Sequence, residues 1–174
     1  MKKIIFLCVI GGIFVAGVLC FYLPERIIES DEATSTVTID FNPNKYICDL
    51  FPIPLYVKLL NGDKVELITI DSVCPKLDKI YVVCNSNYIT DKRNTNLKIQ
   101  FRFSFYISDG KLKMSLISIE SIENSSDVIS KVIREQEEFI INAIENGLCS
   151  ISVELGKKSK DIVNITESTI VVAQ

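Results

Sequence analysis

Residues 96–114, NLKIQFRFSFYISDGKLKM, strongly limit the local structure they can adopt. Leu97, Ile99, Phe101, Phe103, Phe105 and Ile107 alternate with Lys98, Gln100, Arg102, Ser104 and Tyr106. That period of two places every apolar side chain on one face of a strand. Asp109-Gly110 then supplies a two-residue hairpin turn, because both central positions need positive φ, which Asp and Gly tolerate. The turn sets Ile107 opposite Leu112, Phe105 opposite Met114 and Phe103 opposite Leu116. Beyond Leu116 the alternation slips, since Ile117 and Ile119 are apolar while Ser118 and Glu120 are polar. A β-bulge near Leu116-Ile117 absorbs one residue, restores the register with Ile119 opposite Phe101, and curves the sheet toward its apolar face.

The flanking segments extend this hairpin into a larger sheet. TVTIDF (36–41), DKVELITIDSV (63–73) and IYVVCNSNYI (80–89) read as strands, and CPKLDK, including 75–79, reads as a break with a flexible connection. Asn42 before Pro43 is a helix start, and Pro52 and Pro54 stop that helix near residue 50. From a cap at Ser125 or Ser126 to about Asn146, Val128, Ile129, Val132, Ile133, Phe139, Ile140, Ala143 and Ile144 follow a helical period. Only Gln136 interrupts this stripe, and Gly147 is the stop signal. LCSISVEL (148–155) and STIVVAQ (168–174) read as two further strands joined by a basic loop. This order predicts an α+β fold, a curved antiparallel meander wrapped around one long amphipathic helix, with a short N-terminal helix.

The first residues are of a different kind. Lys2 and Lys3 precede residues 4–23, which carry no charge, and Pro24, Glu25 and Arg26 follow. Twenty residues at ~1.5 Å each reach about 30 Å, the thickness of a bilayer core. The leading reading is therefore a signal anchor over 1–24, a polar tether over 25–35, and one domain over 36–174. The lysines would stay in the cytoplasm, sending the domain across an inner membrane into the periplasm. A cleaved signal peptide, or lipidation at Cys20, would instead give a secreted or lipid-anchored protein.

Charge and residue types exclude several functions. Of 19 basic residues, removing Lys2 and Lys3 leaves 17 against 22 acidic ones, a net charge of −5 after the leader. Such a domain has no electrostatic basis for binding nucleic acid. The chain has no histidine, which removes Ser-His-Asp and Cys-His catalysis. Glu135, Glu137 and Glu138 diverge around a helix and read as a solvated face, and no phosphate-binding glycine loop occurs. The expectation is a non-enzyme with no cofactor and no metal. Cys48, Cys74, Cys84 and Cys149 lie beyond the leader, where an oxidising compartment would favour two disulfides of undetermined pairing.

The pieces VTIDFNPNKYICDLFPI, LKIQFRFSFYISDGKLKMSLISIES and VISKVIREQEEFIINAIENGLCSISVEL, ending in STIVVA, occur in an order that resembles the YceB-like family of membrane-tethered periplasmic proteins. That family is similar in fold to half of a tubular lipid-binding domain, with a curved sheet cradling a helix. The chain departs from the family in lacking a clean lipobox and in carrying the four later cysteines. The resemblance implies an apolar seam formed by Phe101, Phe103, Phe105 and Met114 on the sheet and Ile129, Val132, Ile133, Ile140 and Ile144 on the helix. Two functions follow. The first is binding of lipid or another apolar small molecule in that seam. The alternative is an envelope interaction or scaffold module with a dry core, whose partners are envelope proteins.

Overall fold

The Asp109-Gly110 turn forms with both residues at positive φ, 56° and 72°. The hairpin it closes joins β5 (Asn94–Ser108) to β6 (Lys111–Glu123) in the expected register. Phe105 faces Met114, Phe103 faces Leu116, Phe101 faces Ile119, and Ile117 is left without a partner as a bulge. The structure is a computed structural model that describes residues 35–174. The expected anchor over 1–24 and nearly all of the tether lie outside the described residues. Among the described residues no helix is long and apolar enough to cross a membrane.

Residues Ser35–Gln174 form one compact unit. β1 (Thr36–Asp40) leads into α1 (Pro43–Leu50), which starts with Pro43 as its first residue. The Asn42 side chain caps it, accepting from the Lys45 N–H at 2.9 Å. β2 (Leu55–Lys58), β3 (Lys64–Lys76) and β4 (Lys79–Ile89) follow, then the β5–β6 hairpin. α2 (Asp127–Glu135), α3 (Glu137–Gly147), β7 (Val153–Glu154), β8 (Asp161–Ile165) and β9 (Thr169–Ala173) complete the chain. The main sheet is an antiparallel meander in the order β2-β3-β4-β5-β6-β7, curved into a half-barrel. Its bend has a local cause. Ile68 and Asp71 on β3, and Ile117 and Ile122 on β6, are skipped by their partner strands, and each such bulge bends and twists its strand. The three isoleucines among them face outward, 37–42% exposed.

Several expectations are corrected. The 127–146 helix is two helices, not one. Gln136 leaves helical geometry (φ −112°, ψ 17°), and its Oε1 accepts the Leu60 N–H at 2.8 Å, tying the break to the β2–β3 turn. The strand expected over 148–155 pairs only at Val153–Glu154. Residues 75–79 are no flexible connection. β3 runs through Pro75, which β2 does not reach, and turns at Leu77-Asp78 straight into β4. A ring without an N–H is tolerated on such an uncovered edge. A second sheet, β1-β9-β8, was not expected at all. It joins the two ends of the described chain, and Ile165, Ile170 and Val172 add its inner face to the core.

Among the described residues disulfides are absent, which corrects that expectation: Cys48, Cys74, Cys84 and Cys149 are all free. Cys84 stands on the buried face of β4 with Val82, whereas Cys74 lies opposite Tyr81 and so on the other face. A pair on opposite faces of one sheet cannot reach bonding distance. Burial, with smaller effects from Asp71 and Cys48, pushes the Cys84 thiol up to about 12, so it stays protonated.

Candidate functional site

The apolar row of β5 is covered from an unexpected direction. Phe101 and Phe103 are fully buried, and Phe105 is nearly so. The rings lying over them come from α1 and its flanks, not from the later helices. Phe51 stands 5.8 Å from Phe103, edge to face at 84°, and 6.1 Å from Phe101. Tyr46 and Phe41 cover Phe105 at 5.9 and 6.4 Å, and they lie 5.3 Å from each other. Pro52 and Pro54 allow this by ending α1 at Leu50, so that Phe51 turns into the half-barrel. Each buried ring contributes ~1.5–3 kcal/mol, and each such aromatic pair adds ~0.5–1.5 kcal/mol.

Of the remaining expected seam residues, Ile129, Ile133, Ile140 and Ile144 are buried and belong to the same core, with Val132 half-buried against it. They pack α2 and α3 mainly on β6, while α3 also reaches β2, across the main sheet from β6. Gly147 makes that approach close: a Cβ there would stand 3.0 Å from Leu55 Cδ1. Glu137, read from the sequence as solvated, has a specific task that Glu145 shares. Their Oε1 atoms accept the edge N–H groups of Ile119 and Leu116, each at 2.9 Å. Two carboxylates thus cap the outer edge of β6 where no strand covers it.

A cleft of about 840 Å³ runs along the outer edge of β6, and Met114 alone among the expected seam residues lines this open cleft. Its walls are residues 111–116 of β6, Tyr46 and Leu50 of α1, and the segment 148–152. That segment is held away from β6 because the Cys149 N–H donates to the Leu50 carbonyl at 2.8 Å, one of the unpaired carbonyls of a helix end. Glu145 and Asp109 also border the cleft, as do Lys111 and Lys113. Lys111 is paired with Glu154 at 3.2 Å, and the Lys113 ammonium donates to Ser108 Oγ at 3.2 Å. Burial pushes the Tyr46 hydroxyl up, so it remains neutral. Among the described residues no cluster of three or more Cys, Asp or Glu side chains could hold a metal ion. The cleft therefore offers hydrogen bonds, apolar surface and modest charge.

Sequence reasoning missed this cleft. One of its walls is the segment 148–152, which carries a strand pattern and yet does not pair, so no local signal marks the gap. Comparison with family models, curated proteins and solved structures finds no match to this chain. What it shares with tubular lipid-binding proteins is the general form, a curved antiparallel half-barrel, and no match places it in the YceB-like family.

Proposed function

We propose that residues 36–174 are a non-enzymatic interaction module with a dry core, held beside a membrane by residues 4–23, with an envelope protein as partner. One observation carries this reading: Phe41, Tyr46 and Phe51 occupy the space over Phe101, Phe103 and Phe105 that an acyl chain would need. A concavity remains open in the cleft beside β6, lined by backbone and mixed side chains. Its size falls within the ~300–1,000 Å³ of typical binding clefts. We therefore assign the contact with the partner to this cleft.

Native mass spectrometry of the Ser35–Gln174 unit, purified from cells without delipidation, tests the dry core. The expected result is the apo mass alone. A stoichiometric adduct of lipid mass, lost in a folded Phe103→Asp variant, would return the function to the seam.

A further inference from the structure

We propose that the β6 cleft receives an extended peptide of the partner protein as an added strand, hydrogen-bonded to the backbone of Met114. This rests on the interaction-module reading and supplies its class of partner.

The backbone directions follow from the hairpin. The pair Ser108–Lys111 closes a two-residue turn, so hydrogen-bonded and non-bonded pairs alternate from there along β5 and β6. The Phe105 N–H donates to the Asp78 carbonyl at 3.0 Å and so points away from β6. The Phe105–Met114 pair is therefore non-bonded, and Met114 turns its N–H and C=O outward. Leu112 and Leu116 share that orientation. Their needs are met, Leu112 by Val153 of β7 and the Leu116 N–H by Glu145. One step back, the Gly110 carbonyl accepts from the Leu155 N–H at 2.8 Å. Between these, Met114 has no backbone partner on its outer side among the described residues, although it is half-buried in a cleft. A strand edge of this kind is a template for pairing with another chain.

The protein's own candidate for the position is held off. Continuing the β7 register would bring Ile151 opposite Met114 and Cys149 opposite Leu116. The Cys149 N–H is committed to Leu50, and the Leu116 N–H is committed to Glu145. The gap suits a single strand. At ~3.3 Å rise, ~4.8 Å strand spacing and ~10 Å layer thickness, one residue fills ~160 Å³, so the cleft holds about five residues. A residue facing Met114 would point to the side of Tyr46 and Leu50 and is expected to be apolar. Its neighbours would point to the side of Lys113, which has no carboxylate within ion-pair distance among the described residues, and are expected to be polar or acidic.

The test selects linear heptapeptides from a phage-displayed random library on the Ser35–Gln174 unit. Synthetic copies of the enriched sequences are then measured by calorimetry and by amide NMR shifts. The expected peptides alternate apolar and polar residues, and their largest shift falls on the Met114 amide. Met114→Pro, which removes the edge donor, and Ser150→Trp, which fills the cleft from an exposed wall, are each expected to weaken binding about tenfold or more. The second variant keeps the test decisive if the first does not fold. Enriched peptides that bind equally well to Ser150→Trp and shift residues elsewhere would overturn strand addition while leaving the interaction module standing. Failure to enrich any peptide would also overturn strand addition. A lipid adduct in the same preparation would overturn the module reading itself.

Discussion

Replacing Phe103 by alanine is expected to lower the unfolding free energy of the Ser35–Gln174 unit by about 3–5 kcal/mol, read from urea denaturation. The ring is fully buried, and Phe51 meets it edge to face at 5.8 Å. Its strand is pinned on both sides, with Phe103 paired to Ile80 of β4 and to Leu116 of β6. The surroundings therefore have little freedom to collapse into the space left behind, which is the condition for a cost near the top of the range. Phe51→Ala removes the other half of the same contact. The double variant is expected to lose less than the sum of the two by ~0.5–1.5 kcal/mol, the value of an aromatic pair. A seam that opens to a lipid would leave Phe103 lining a space already partly empty. A cost below about 1 kcal/mol, with no coupling to Phe51, would contradict the account.

Gly110→Ala is expected to cost about 2–5 kcal/mol, combining left-handed backbone strain of ~1–2 with overpacking of ~1–3. Gly110 has φ +72°, and a Cβ there would stand 3.0 Å from the carbonyl carbon and oxygen of Gly156. Those are backbone atoms that cannot rotate aside. Gly62→Ala is the control, because Gly62 also has positive φ (+92°) but nothing lies within 4 Å of its Cβ position. Its expected cost is the strain alone. Equal losses in the two variants would show that the β5–β6 turn does not press on the segment leading to β8.

These predictions draw on different sources of information. The hairpin was legible because its period, its Asp-Gly turn and its slip at Ile117 are local and agree with one another. Asn42-Pro43 and the prolines after Leu50 fixed α1 in the same way. The expected 127–146 helix failed at Gln136, the one residue that broke the apolar stripe. What the sequence could not show was that this side chain binds the Leu60 N–H, 76 positions away. β8 was lost in the basic loop because its pairing with β9 is a tertiary fact, and Val153-Glu154 paired with β6 while residues 148–152 did not for the same kind of reason. Glu137 and Glu145 carry no sequence signal of edge capping, since an acceptor for a distant strand looks like any exposed glutamate. For the candidate site, the buried status of Phe101, Phe103 and Phe105 was readable. Their partners were not, because an eight-residue helix and one phenylalanine after it carry less pattern than a long amphipathic helix.

The central claim is that α1 and β5 form one sealed core and do not part. Native-state hydrogen exchange of the Ser35–Gln174 unit under increasing urea tests this most directly. The account predicts that the amides of Tyr46 and Phe51, bonded to the carbonyls of Asn42 and Ile47, exchange with the same free energy as global unfolding, together with Phe101 and Phe103. Exchange of the α1 amides through a separate opening, several kcal/mol below global unfolding, would show that the seam parts and would contradict it.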